Sequence, residues 1–172
     1  MKSRLTPAAT LAASALISAA ASVSAHDGVD ARLRGFQEVP SVSTVAKGRF
    51  KASVDDKSAT IRYELSYSGL EGTVTQAHIH FGQHGVNGGI MVFLCQTATN
   101  PDPTGLAPTC PQSGTVTGLL QAGNVIGPAG QGIAPLEFAE VLAAIRAGAA
   151  YANVHSSKFQ GGEIRAQLRD DD

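Results

Sequence analysis

The stretch Gln76-Ala-His-Ile-His-Phe-Gly-Gln-His-Gly-Val-Asn-Gly-Gly89 makes two demands on any fold. Side chains alternate across an extended strand, so Ala77, Ile79 and Phe81 share one face while His78 and His80 share the other. The apolar set calls for a core on one side only, which is the pattern of an antiparallel β protein. The two imidazoles stand side by side on the opposite face, and His84 follows in a glycine-rich turn. Neutral imidazole is the commonest metal-ligating side chain, and a His-x-His pair on a strand binds Cu or Zn when a third ligand arrives from elsewhere. Its plainer reading is a set of partly buried histidines hydrogen-bonding to loop carbonyls.

A third ligand is offered near the end of the chain. In Tyr151-Ala-Asn-Val-His155, alternation puts Tyr151, Asn153 and His155 on one face and Ala152 and Val154 on the other. If this strand neighbours the first, His78, His80 and His155 converge on the outer surface of one sheet. Tyr151 and Asn153 then stand beside them as supporting groups, and His84 is a candidate fourth ligand. Such a site lacks carboxylates, so copper or zinc suits it better than calcium or magnesium, which prefer oxygen.

The surrounding chain reads as β in the same way. Residues 31–36 suggest a first strand. Residues 48–54 and 59–67 alternate about the polar turn Asp55-Asp-Lys-Ser58, with Ile61, Tyr63, Leu65 and Tyr67 inward, and so predict a hairpin with one wet face. Ile90-Met-Val-Phe-Leu-Cys95 is a continuous apolar run, expected of a strand covered on both sides. Residues 115–121 and 163–168 supply further strands. One helix is predicted over 135–147, with Pro135 in its first turn, Phe138, Val141, Leu142 and Ile145 as its apolar stripe, and Gly148 closing it. Short strands, glycine-rich turns and a single helix indicate an antiparallel β-sandwich or barrel.

Residues 1–25 read as a cleavable signal peptide. Lys2 and Arg4 precede an uncharged apolar run, and Val23-Ser-Ala25 ends it with small residues. Cleavage after Ala25 leaves His26 at the mature terminus, where its amine and imidazole together can chelate copper. This predicts a secreted or periplasmic protein, with no later segment approaching the ~20 apolar residues of a membrane span. The chain has two cysteines, Cys95 and Cys110. In an oxidising compartment they are expected to form a disulfide; two thiolate ligands for zinc are the alternative.

Two of the 13 basic residues and none of the 14 acidic ones precede residue 26, leaving a formal −3 on the rest. That mild acidity, with no run of Lys or Arg, argues against nucleic acid or an anionic membrane surface as partner. A single domain over 26–169 is expected, followed by the acidic tail 170–172.

Several separated motifs carry a family resemblance. Phe36-Gln-Glu-Val-Pro40 with Gly48, Ala77-His-Ile-His80, Gly85-Val-Asn-Gly88, and Tyr151-Ala-Asn-Val-His155 leading into Gly161-Gly-Glu-Ile-Arg165 resemble the CHRD (chordin-type) domain over about residues 30–169. The resemblance implies an immunoglobulin-like β-barrel, distantly similar to copper–zinc superoxide dismutases, whose His-x-His strand supplies copper ligands. It implies no settled activity. The chain shows nothing like the dismutase zinc loop, and Lys158 is the one cation suggested for steering an anion to the metal.

Three classes of function therefore stand: a metal-binding β domain, a metal-free module for an unknown protein partner, and a metalloenzyme. Neither a Gly-x-Ser-x-Gly elbow nor a phosphate-binding loop is present, and no catalytic residue is assigned.

Overall fold

The alternating segments form strands wherever their apolar faces can be buried together. The computed structural model describes residues 28–169, so the signal-peptide segment 1–25, His26 and the tail 170–172 lie outside the described residues. The strands are β1 (Gly28–Arg34), β2 (Lys47–Asp55), β3 (Thr60–Ser68), β4 (Val74–Phe81), β5 (Gly89–Cys95), β6 (Gly114–Leu120), β7 (Ala150–Ser156) and β8 (Ile164–Leu168), with one α-helix, α1 (Phe138–Arg146), before β7. They make one eight-stranded antiparallel sheet in the order β5-β4-β7-β8-β1-β2-β3-β6, curled into a nearly closed barrel. Tyr63 on β3 donates its hydroxyl to the carbonyl of Leu94 on β5, so the two ends of the sheet meet through a buried bond.

The interior is built by the predicted faces. Ile61, Tyr63, Leu65 and Tyr67 are buried, as are Ala77 and Ile79 of the histidine strand and Val154, Ile164 and Leu168 near the C-terminus. Each fully buried aliphatic side chain contributes on the order of 1.5–3 kcal/mol. Residues 90–95 are indeed a strand covered on both sides, with Met91 in the core and Phe93 on the other face.

The first strand, which starts at Gly28 rather than at residue 31, and the helix differ most from the sequence reading, the other strands by about a residue at their ends. The first strand ends at Arg34, because residues 35–37 turn as a 3-10 helix and carry the chain over the outside of the sheet. The helix begins at Phe138 rather than Pro135, because Leu136 has φ +74, outside any helical turn. Its C-terminus behaves as expected: Gly148, at φ +65, donates to Ile145, and Ala149 donates to Ala144, the paired bonds of a Schellman cap.

Buried carboxylates stitch the loops. Glu163, fully buried, accepts from the Thr44 hydroxyl, the Glu71 backbone N–H and the Ser156 hydroxyl, joining three segments. Asp102 accepts from the backbone N–H groups of Thr104, Leu106 and Ala107 inside the proline-rich segment. That segment is closed by a Cys95–Cys110 disulfide, and no free cysteine remains to act as a thiolate ligand.

Candidate metal centre

Strands β4 and β7 are neighbours, and their register decides which side chains meet. Gln76 pairs with His155, His78 with Asn153 and His80 with Tyr151. Directly opposed residues share a face, so all six leave the sheet on the side away from the barrel core. A longer row follows from the neighbouring registers: Phe93, His78, Asn153, Arg165 and Arg34 stand opposite one another across five strands.

The outer face is expected to be wet, but here it is covered. His78 is fully buried, His80 is 8% exposed and His155 is 6% exposed. Residues 36–40 and 82–88 fold over the row, tied to each other by Asn87 Nδ2 donating to the Val39 carbonyl. Two glycines permit the close approach. A Cβ on Gly88 would stand 1.7 Å from the Phe81 carbonyl oxygen, and one on Gly162 would meet a Glu38 carboxylate oxygen at 2.5 Å.

The three imidazoles form one cluster, each offering a ligand nitrogen with all three nitrogens within 4.8 Å of one another. His78 Nδ1 and His155 Nε2 are 3.2 Å apart. Two nitrogens bound at ~2.0–2.1 Å to a tetrahedral ion stand about 3.4 Å apart, so this pair has the spacing of two ligands for an ion held through His78 Nδ1. Backbone carbonyls orient the rings: His80 Nδ1 meets the Gly88 carbonyl at 2.9 Å and His155 Nδ1 the Gln160 carbonyl at 2.8 Å. A carbonyl demands N–H at Nδ1, which leaves the lone pair on Nε2: that of His155 faces His78 Nδ1, and that of His80 has no partner. The Nε2 atoms of His78 and His80 are buried with no hydrogen-bond partner in the protein. Buried polar atoms are rarely left unsatisfied, and an ion bound among the rings would take up the lone pair on His80 Nε2.

Electrostatics keeps the cluster neutral. Burial pushes the His80 imidazole down to about 4 and His78 well below the usual histidine value, with His155 lowered for the same reason. Neutral imidazoles need lose no proton to bind an ion.

Tyr151 and Asn153 both lie beside the imidazoles. The Tyr151 ring stacks on His80 at 4.7 Å with its plane 3° away, and its hydroxyl accepts from the Gly88 N–H. Asn153 Oδ1 lies 3.0 Å from His155 Nε2. His84 does not join them: it is exposed in the turn after β4 and outside the cluster, because the chain needs that turn to bring Gly88 back to His80. Lys158 is also elsewhere, paired with Glu71 and lying over the Phe159 ring.

The cation near the cluster is Arg165, which the sequence reading placed only inside a motif. Its guanidinium carbon sits 3.3 Å from the Tyr151 ring centre, and its nitrogens donate to the Gln83 and Val86 carbonyls and to Asn87 Oδ1. Arg165 therefore pins the loop that presents Gly88 to His80. Glu38 is the other residue missed; desolvation raises its carboxyl to about 8, against the opposing pull of Arg165. The available signal was alternation, since Arg165 lies between inward Ile164 and Ala166 and so shares the histidine face.

A barrel whose outer sheet face buries three clustered imidazoles is a β domain with a candidate nitrogen site. The CHRD domain family model matches residues 29–168, and the chain belongs to that family. No curated protein and no solved structure is significantly similar to it.

Proposed function

We propose that this CHRD-domain protein is an exported metal-binding protein that holds one copper or zinc ion between His78, His80 and His155. The observation that carries the reading is the convergence of one ligand nitrogen from each of three buried imidazoles within 4.8 Å of one another, with His80 Nδ1 held by the Gly88 carbonyl and its Nε2 left without a partner. Three nitrogens without a carboxylate select copper or zinc, and copper outranks zinc at such a site. Arg165, Tyr151 and Asn153 position the ligands. The disulfide and the family are consistent with an extracellular or periplasmic location, which the N-terminal sequence also favours.

The burial of all three imidazoles favours retention of an ion over turnover of a bulky substrate. A metal-free interaction module is the second reading, favoured by the fact that Gly88 and Gln160 already use two of the histidines to hold loops. Elemental analysis of protein purified from the periplasm without added metal, alongside the His80→Ala variant, separates them. About one equivalent of copper or zinc in the wild type and little in the variant supports the metal reading. Metal-free wild type that also takes up none on titration supports the module.

A further inference from the structure

We infer that the outer face of β1, β2 and β3 carries a second binding site, a basic groove for an extended acidic polysaccharide. This inference does not depend on the metal reading. Arg32 and Arg34 leave β1 on the exposed face, and Lys47 and Arg49 leave β2 on the same face. The register sets Arg32 opposite Arg49 and Arg34 opposite Lys47. These four residues line a groove of about 490 Å³, with Ser66 and Thr115 from β3 and β6 on its far wall.

The same strands supply an internal comparison. Further along the face, Asp30 stands opposite Lys51, and Lys51 opposite Glu64, so cations meet acids. At the groove like charges are directly opposed, which weakens a sheet. Asp30 reaches over to bond Arg49. Among the described residues, Arg32, Arg34 and Lys47 make no ion pair with a carboxylate, although Arg32 feels the charge of Asp30. A protein with a net acidic formal charge thus gathers four cations along one strip, with Asp30 as their one paired acid. A periodic polyanion lying in that strip relieves the repulsion.

The groove chemistry narrows the class of ligand. Arginine forks match carboxylate and sulfate groups, and the Ser66 and Thr115 hydroxyls match sugar hydroxyls. The one aromatic ring among the groove's lining residues, Tyr67, is closed to base stacking, being only 3% exposed and donating its hydroxyl to the Pro111 carbonyl. The sequence shows no such cluster because its members alternate with core residues on two strands. Binding at Arg34, three strands from His78 in the row described above, is separable from the metal centre.

The test measures binding of the mature chain to polygalacturonate and dextran sulfate, with neutral dextran, duplex DNA and anionic phosphatidylglycerol vesicles as comparison probes. The triple variant Arg32→Ser/Arg34→Ser/Lys47→Ser is set against Lys51→Ser/Lys57→Ser/Arg62→Ser, which removes the same charge elsewhere. Wild type should bind both acidic polysaccharides, more weakly as salt rises, and not neutral dextran. The groove triple should bind at least about tenfold more weakly and the control triple nearly as wild type. If the groove triple does not fold, the single Lys47→Glu variant must still show the loss. Equal losses in both triples, no binding to either acidic polysaccharide, or tighter binding to DNA or vesicles would each overturn the inference.

Discussion

His78 Nδ1 and His155 Nε2 lie 3.2 Å apart although 77 residues separate them in the chain. The contact exists because β4 and β7 are neighbours in a register that offsets the two histidines by two positions, which keeps both on the outer face. Any slip of one residue would send His155 into the barrel and Val154 out of it. The site is therefore a direct readout of strand pairing.

The barrel core makes the simplest prediction. Leu65→Ala should destabilise the protein by about 2–5 kcal/mol, the usual range for emptying a buried leucine site. Ser66→Ala, one residue along and on the outer face, should cost well under 1 kcal/mol, as surface changes do. Chemical denaturation of both variants checks this, and similar losses would contradict the face assignment.

Removing the disulfide should cost on the order of 3 kcal/mol, because the loop between Cys95 and Cys110 is about 15 residues long. Unfolding midpoints with and without reductant, and for Cys95→Ser/Cys110→Ser, give the value. Intact mass in the two conditions shows whether the bridge is present.

Glu38 gives a pH signature with a definite sign. Its folded-state value, about 8, lies above the ordinary 4.5, so the folded protein holds the proton more tightly than the unfolded chain. The resulting stability is fully present below about 4.5 and is lost as pH rises toward about 8. The buried histidines act the other way, losing stability as pH falls below 6.5. Glu38→Gln isolates the carboxyl: the variant should gain on the wild type steadily from pH 5 to about 8, followed by thermal melting. A constant difference across that range would mean that Glu38 is already ionised.

Much of this was legible in the alternation. It gave the hairpin faces, the apolar stripe of the helix and the shared face of His78, His80 and His155, since each depends only on a period of two or 3.6 residues. What covers the histidines was not legible. Residues 36–40 and 82–88 are aperiodic, and their path is set by single bonds such as Asn87 to Val39 and by the space left at Gly88 and Gly162. Arg165 reads as an ordinary outward cation until the loop it pins is seen. Arg34 and Lys47 look equally unremarkable, because the sequence does not say which strands lie side by side.

Arg165→Lys should leave the fold intact but weaken metal affinity by roughly 10–100-fold, the usual effect of altering groups that orient metal ligands. Lysine keeps the charge but cannot reach Gln83, Val86 and Asn87 together. Calorimetric titration with Zn(II) measures the change, and unaltered affinity would remove Arg165 from the account.

The most direct test of the metal centre counts the nitrogens on copper. The mature protein is loaded with one equivalent of Cu(II) in a His26→Gln background, to limit chelation at the terminus, and its nitrogen hyperfine splitting is recorded by electron paramagnetic resonance. Three imidazole nitrogens are predicted for the parent and two for His155→Ala, with His84→Ala unchanged. If the His155→Ala spectrum and affinity match those of the parent, β4 and β7 do not share a metal site.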